Sequence, residues 1–412
     1  MAIEKIKQSA DLIEKVEQYL QNGLNSNSLF NDALDEGDLL SIRSIKDTEH
    51  THQYKASEVL YWVDRNAYLD EFDNWNGEQL RDKHREAIEY VDATQQDSVV
   101  SDLIALIKKK KVAPFVGAGV SAAAGYPSWD TVLKELGKKL TNVDNLQVEE
   151  LLANERYLEL AQLLADASSS QLNNHIRTTF RIKSTIEQDK TLVPDVIKLL
   201  PRLCAGAMVT TNFDTLIESW FKAHKTASEF DGILCGLQEN HNFVTKLLKG
   251  ERCLLKLHGD ATQPESYIFT QTQYEQGYGS GGIDYRKQLP KALRQIYISH
   301  SLLFLGCSLQ QDKTMELFEQ VRNDGEFVIP EHFALLALPV KPIEQPPTVA
   351  ENSGQVVPAF EADDDKRQEM EDRLFELGIR PIWYPATDNH KMLIQLIELM
   401  VDVADGRLML RG

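Results

Sequence analysis

Two side chains, far apart in the chain, have the types that chemistry on a sugar would need. His258 lies in Lys256-Leu257-His258-Gly259-Asp260, at the end of the apolar run Cys253–Leu257, and the glycine after it leaves room for a substrate. Of the ten histidines it is the one placed this way. An imidazole titrates near neutrality and can serve as the base that delivers a nucleophile. Asn212 ends the run Ala207–Thr211 in Thr210-Thr211-Asn212-Phe213-Asp214. Its amide donates and accepts hydrogen bonds, which suits ribose hydroxyls or a water. The competing reading of His258 is a structural histidine bonded to a nearby carbonyl.

A third stretch offers a place for an anion. Lys111-Val112-Ala113-Pro114-Phe115-Val116-Gly117-Ala118-Gly119-Val120-Ser121 reads as a short strand, a glycine turn and a helix beginning near Ser121. Gly117, Ala118 and Gly119 leave the backbone bare, so a diphosphate could reach main-chain N–H groups at the positive end of the helix. The pattern stops short of G-x-G-x-x-G, and a plain tight turn explains it as well. Leu305-Gly306-Cys307-Ser308-Leu309 closes a fourth run, Ser301–Leu305. Gly277–Gly282 does contain G-x-G-x-x-G, but it follows the polar stretch Gln271–Gln276 and not an apolar strand, so a loop is expected there.

These residues need a scaffold that brings strand ends together. Apolar runs at 112–116, 207–211, 253–257, 301–305, 333–338 and 379–384 alternate with helical patterns. Such alternation predicts an α/β fold: a Rossmann-like parallel sheet with helices on both faces. In these sheets ligands sit beyond the strand carboxyl ends, near the point where strand order reverses. All four motifs fall at such ends. Residues 131–200 read as a helical insertion, with Leu133, Leu136 and Leu140 on one face. Residues 1–100 read as a helical region for interaction or oligomerisation, ahead of a catalytic domain at 101–412. There Ile3, Ile6, Ala10, Ile13, Val16 and Leu20 recur at helical spacing, Gly23 can end that helix, and further helices are expected around 59–69 and 78–93. Pro339–Pro358 reads as a long loop, followed by helices from Asp363 and from about Asp388.

Composition narrows the classes. The 412 residues carry 44 basic and 63 acidic side chains, a net charge of −19. That argues against direct nucleic-acid binding by phosphate neutralisation. No stretch approaches the roughly 20 apolar residues of a membrane span. The N-terminus has no apolar signal core, and a cytoplasmic location is expected. Cys204, Cys235, Cys253 and Cys307 form no C-x-x-C pair, so neither a disulfide framework nor a zinc ribbon is expected.

Taken in order, the four motifs resemble the sirtuin family, whose pattern reads GAG-[IV]-S, T-[QT]-N-x-D, HG and G-[TC]-S. The resemblance covers roughly residues 100 to 400. It implies that Asn212 and His258 form the catalytic pair. It implies that Gly117, Ala118, Gly119 and Ser121 hold the diphosphate and neighbouring ribose of NAD. Asp214 matches the family's buried acid, and Gly306 and Ser308 match the segment on the adenosine side. Where protein-deacylating sirtuins carry G-I-P-D-F-R, this chain has Gly125-Tyr126-Pro127-Ser128-Trp129-Asp130. Pro127 and the aromatic are kept, with Trp129 placed to stack on nicotinamide, while the acid and arginine are lost. Thr211 stands where glutamine is common.

The two C-x-x-C pairs of the zinc module are missing, and with them much of the groove for an acyl-lysine peptide. What remains looks like the sirtuin-like NAD hydrolases of bacterial antiphage systems. The resemblance implies NAD as substrate, assembly into a homo-oligomer, and a HerA-type ATPase partner. A protein deacylase and a catalytically silent nucleotide-binding scaffold are the alternatives, and the sequence leaves NAD and NADP undistinguished.

Overall fold

Seven runs of buried residues pair edge to edge in a single parallel sheet. A computed structural model of the chain describes residues 2–36, 40–43, 51–223, 229–309, 312–341 and 362–409. Two compact units divide it, one of residues 1–86 with 407–412 and one of residues 87–406.

The first unit is mostly helical: Ala2–Asn25, Ser28–Asp35, Ala56–Val63 and the start of Arg65–Ala93. It also holds an antiparallel pair that the helical reading of this region did not contain, β1 (Leu40–Arg43) and β2 (Thr51–Tyr54). Leu24, Phe30, Tyr61 and Tyr68 form its small core. The first helix runs past Gly23 to Asn25. The expected helix at 59–69 is broken at Asp64, whose carboxylate accepts from the Ala67 N–H and starts the next helix. That helix then continues without a break through 78–93.

The second unit is built on β3 (Val112–Val116), β4 (Met208–Thr210), β5 (Gly232–Cys235), β6 (Cys253–Lys256), β7 (Ser301–Leu305), β8 (His332–Ala337) and β9 (Ile379–Tyr384). The order is β5-β6-β4-β3-β7-β8-β9, every pair parallel. β4, β6 and β5 lie on one side of β3, with β6 inserted between β4 and the edge strand β5, and β7, β8 and β9 lie on the other. Helices flank the sheet, and the change of direction between the two sets of strands places the switch point beside β3. Pro114 sits inside this central strand; it has no N–H to donate, and the β4 ladder starts only after it, at Phe115. Phe115, Val209, Leu255 and Phe304 fill the core. On it Tyr297 stacks against Phe318 at 4.2 Å and against the His332 ring at 4.4 Å.

Several elements differ from expectation. β5 was not anticipated: it is four residues long, begins with glycine and leaves Ile233 38% exposed, as an edge strand can. The helix after β3 begins at Ala118, not Ser121, and lasts five residues. The polar stretch before the expected glycine loop is the helix Gln271–Tyr278, which takes in Gly277 and leaves the loop at 279–282; a capping box between Thr270 and Gln273 fixes its start. Five helices fill 129–203, with Asp144 capping Asn145–Ala153. Most of the expected loop Pro339–Pro358 lies outside the described residues. Asp363 caps the helix Asp364–Glu376, and the last helix spans Thr387–Ala404.

Candidate active site

The carboxyl ends of β3, β4, β6 and β7 lie side by side, and hydrogen bonds tie the turns that follow them. The Thr211 N–H and the Thr210 hydroxyl both donate to the Val116 carbonyl, at 3.2 and 2.8 Å. The Leu257 N–H donates to the Thr210 carbonyl at 2.8 Å, and the Ala261 N–H to the Phe213 carbonyl at 2.8 Å. The turn carrying Asn212 and the turn carrying His258 are thus adjoining parts of one strand-end surface.

Asn212 is buried, 8% exposed. Its Nδ2 donates to the Gly117 carbonyl at 3.0 Å and to Ser121 Oγ at 2.8 Å. Both amide protons are therefore spent inside the protein, and Oδ1, 3.5 Å from the Thr211 hydroxyl, is what the side chain has left for a ligand. Ser121 is turned inward and donates to Asp214 Oδ2 at 2.7 Å. Asp214 also accepts the Leu216 N–H at 3.0 Å, so one carboxylate starts the helix Leu216–Ala223 and orients the Asn212–Ser121 pair. Burial raises its carboxyl above the usual range, and those hydrogen bonds pull the other way.

His258 is 7% exposed among aromatic rings: Trp129 at 5.1 Å, Phe213 at 6.1 Å and Tyr274 at 5.9 Å. Burial pushes the imidazole down to about 4; the nearby Thr211 main chain opposes this, without a well-formed hydrogen bond to Nδ1. The ring is a neutral base at neutral pH. Its Nε2 lies 3.0 Å from the Tyr274 hydroxyl. Burial holds that phenol well above its ordinary value, so it keeps its proton and can donate to the Nε2 lone pair. Tyr274 is the functional candidate that the motif search missed. The signal was present: Thr270-x-x-Gln273 marks a helix start, and Tyr274 and Tyr278 then share a face, stacked at 5.9 Å.

The glycines are packed as well as bare. The Gly117 N–H donates to the Leu305 carbonyl at 2.8 Å and the Gly119 N–H to the Gly306 carbonyl at 3.0 Å. A Cβ on Gly117 would lie 2.4 Å from the Gly306 oxygen; Gly306 itself has φ +64°. The turns after β3 and β7 therefore lie against each other at the switch point. Ala118 and Gly119 are exposed at its rim. Trp129 is half-buried, 4.4 Å from the Phe269 ring, and so joins the site; Pro127 precedes it, half-buried. Ser308 is exposed and none of the described contacts links it to Asn212 or His258. The four cysteines are free thiols, and among the described residues no group of three or more His, Cys, Asp or Glu could hold a metal ion. Two cavities, ≈ 650 and ≈ 530 Å³, lie elsewhere, beside Trp383 and beside Gly236.

Residues 206–357 match the SIR2-like domain. The match contains Asn212, His258, Gly306 and Ser308; the glycine turn and Trp129 precede it. The chain is similar to the NAD(+) hydrolase ThsA of Acinetobacter baumannii, 26% identical over 242 residues that cover 58% of this chain and 45% of the relative. It is similar to the NAD(+) hydrolase ThsA of Bacillus cereus, 24% identical over 240 residues, with the same two coverages. Defense-associated sirtuin 2 of Bacillus subtilis is 22% identical over 219 residues, 52% of this chain and 19% of the relative. The chain thus spans less than half the length of these curated relatives. The likeness to sirtuin-like proteins, NAD hydrolases and a defence-associated sirtuin among them, rests on aligned sequence as well as on motif order.

Proposed function

We propose that this chain is an NAD glycohydrolase, which cleaves the nicotinamide–ribose bond with water to give nicotinamide and ADP-ribose. The observation that carries the reading is the pairing of Asn212, held by Gly117 and Ser121, with a neutral buried His258 on the adjoining strand-end turn. The names of the relatives support the same substrate.

As the C1′–N bond breaks, its electron pair leaves with the nicotinamide ring, and the ribose takes on oxocarbenium character. The oxygen of a water bonds to C1′ and gives up a proton. Asn212 Oδ1 accepts from a ribose hydroxyl or from that water, and His258 takes the proton once its ring nitrogen is free of Tyr274. Trp129 offers a flat face to nicotinamide. At the exposed rim, where the Gly117 and Gly119 N–H groups are held by the end of β7 and the turn after it, the Ala118 main-chain N–H faces the diphosphate. On the family resemblance, the activity depletes NAD as antiviral defence, in a homo-oligomer and with a HerA-type ATPase as partner.

The test is to incubate the purified chain with NAD, alone and with the neighbouring gene's product, and to follow nicotinamide and ADP-ribose. Equal yields of the two, independent of any peptide, are expected. Turnover that requires an acyl-lysine peptide would replace the reading with deacylation. Absence of turnover in both states would leave a binding scaffold.

A further inference from the structure

Lys256 ends β6 and has no exposed surface. An ammonium has three protons and no acceptor. Here its Nζ has three partners, each at 2.7 Å: the Asp214 main-chain oxygen, the Glu218 carboxylate and Asp260 Oδ2. The partners sit on three segments. Asp214 ends the turn that carries Asn212, Glu218 lies in the first turn of the helix Leu216–Ala223, and Asp260 closes the turn that carries His258. Burial alone would drive the amine towards neutrality. The carboxylates of Glu218 and Asp260 outweigh it and hold the ammonium above its ordinary value.

A side chain with no exposed surface and no proton to spare does not touch substrate. Its bonds instead complete a path between the two candidate catalytic groups. Asn212 Nδ2 bonds Ser121 Oγ, and Ser121 Oγ bonds the Asp214 carboxylate. The Asp214 carbonyl bonds Lys256, and Lys256 bonds Asp260, whose own N–H donates to Ser266 Oγ and whose Oδ1 accepts from Thr262. Buried ion clusters contribute little to stability relative to apolar replacements of similar size, and Leu255 and Leu257 already fill the core on either side. What the cluster adds is geometry.

We propose that Lys256 is a positioning residue that staples the Asn212 turn to the His258 turn and fixes the amide relative to the imidazole. This rests on the glycohydrolase reading for its consequence, though not for its structural content. Removing the ammonium alone would strand two buried carboxylates, so the test uses Lys256→Met combined with Glu218→Gln and Asp260→Asn, compared with the wild type.

Two readouts are taken. The first is steady-state NAD cleavage. The triple variant is expected to keep the wild-type melting temperature within a few degrees and a KM within about threefold of the wild type, while kcat falls roughly 10- to 100-fold, the cost of sub-ångström to ångström misplacement of reacting groups. An unchanged kcat overturns the proposal. The second readout is amide hydrogen exchange, which needs no activity. Ala261, bonded to Phe213, and Leu216, bonded to Asp214, are expected to lose protection together while β7 and β8 amides keep theirs. If the wild type cleaves no NAD in any state, the functional reading fails and exchange alone decides: joint loss at the two turns upholds the staple, and unchanged protection overturns it.

Discussion

At the scale of single residues, the site is defined by how few free polar atoms remain in it. Asn212 has spent both amide protons, Ser121 its hydroxyl proton, and Asp214 both oxygens. The acceptors that a ligand could use are Asn212 Oδ1 and, once Tyr274 releases it, His258 Nε2. Asn212→Ala removes the one, and His258→Ala the other. Each is expected to lower NAD cleavage by about 100-fold or more, the usual scale for a general base or an oriented acceptor, with circular dichroism unchanged. Wild-type turnover by either variant would remove that residue from the chemistry. Because burial depresses the imidazole to about 4, kcat/KM should stay flat as pH falls from 7 to 5 and decline only near 4. An acid limb at 6.5 would mean that a different, ordinary group is titrating. Tyr274 gives a prediction of opposite sign. Its hydrogen bond to Nε2 must break before the base can work, at a net cost of about 0.5–1.5 kcal/mol. Tyr274→Phe is thus expected to raise kcat/KM by about two- to tenfold, and a fall would place the phenol among the groups that act on substrate.

At the scale of elements, the clearest dependence is on the contact between the turns after β3 and β7. Gly306 has φ +64°, and a Cβ there would lie 2.6 Å from the Val120 nitrogen. Gly306→Ala is expected to destabilise the chain by about 2 kcal/mol or more, from backbone strain plus a steric clash. It should also weaken NAD binding, since it pushes the glycine turn from its seat. Urea midpoints and isothermal titration would show both effects, and an unchanged midpoint would mean that the turn adjusts freely. The elements around this contact were legible because each buried strand is an unbroken apolar run that stops at a polar or glycine motif. β5 was not, since a four-residue edge strand opening on Gly232 has too little apolar pattern to stand out. The helix Gln271–Tyr278 hid in polar residues; only its capping box and the Tyr274–Tyr278 spacing mark it. Lys256 looked like the charged end of a strand. Its burial follows from three acceptors that are 38 to 42 positions away or on the next turn, and no local pattern reports that. Likewise the inward turn of Ser121 is a matter of side-chain direction, which motif spacing does not encode.

At the scale of the whole molecule, acid should be the condition the fold resists least. His258 and His332 are both buried and neutral, pushed down to about 4 and about 3, chiefly by burial. His332 is fixed in that form by the Leu302 N–H, which donates to its Nδ1 at 3.0 Å. In the unfolded chain both rings titrate near 6.5. Above that pH neither state is protonated and their contribution to stability is complete. Between about 6.5 and 4 the unfolded chain takes up protons that the fold refuses, so stability falls with pH, by on the order of 3 kcal/mol for each ring by pH 4. Buried carboxyls such as Asp214, raised chiefly by burial, work in the opposite direction: the fold takes up their protons from the raised folded value down to the ordinary carboxylate range, which gains stability as pH falls. In the pH 5–6.5 window the two histidines oppose these carboxyls, and a variant lacking one ring isolates the histidine share. Urea midpoints measured from pH 7.5 to 4.5 should drop through that window. His332→Asn keeps an acceptor for the Leu302 main chain and should make the decline shallower by about half. A pH profile that His332→Asn leaves unchanged would mean that His332 carries a proton in the folded protein.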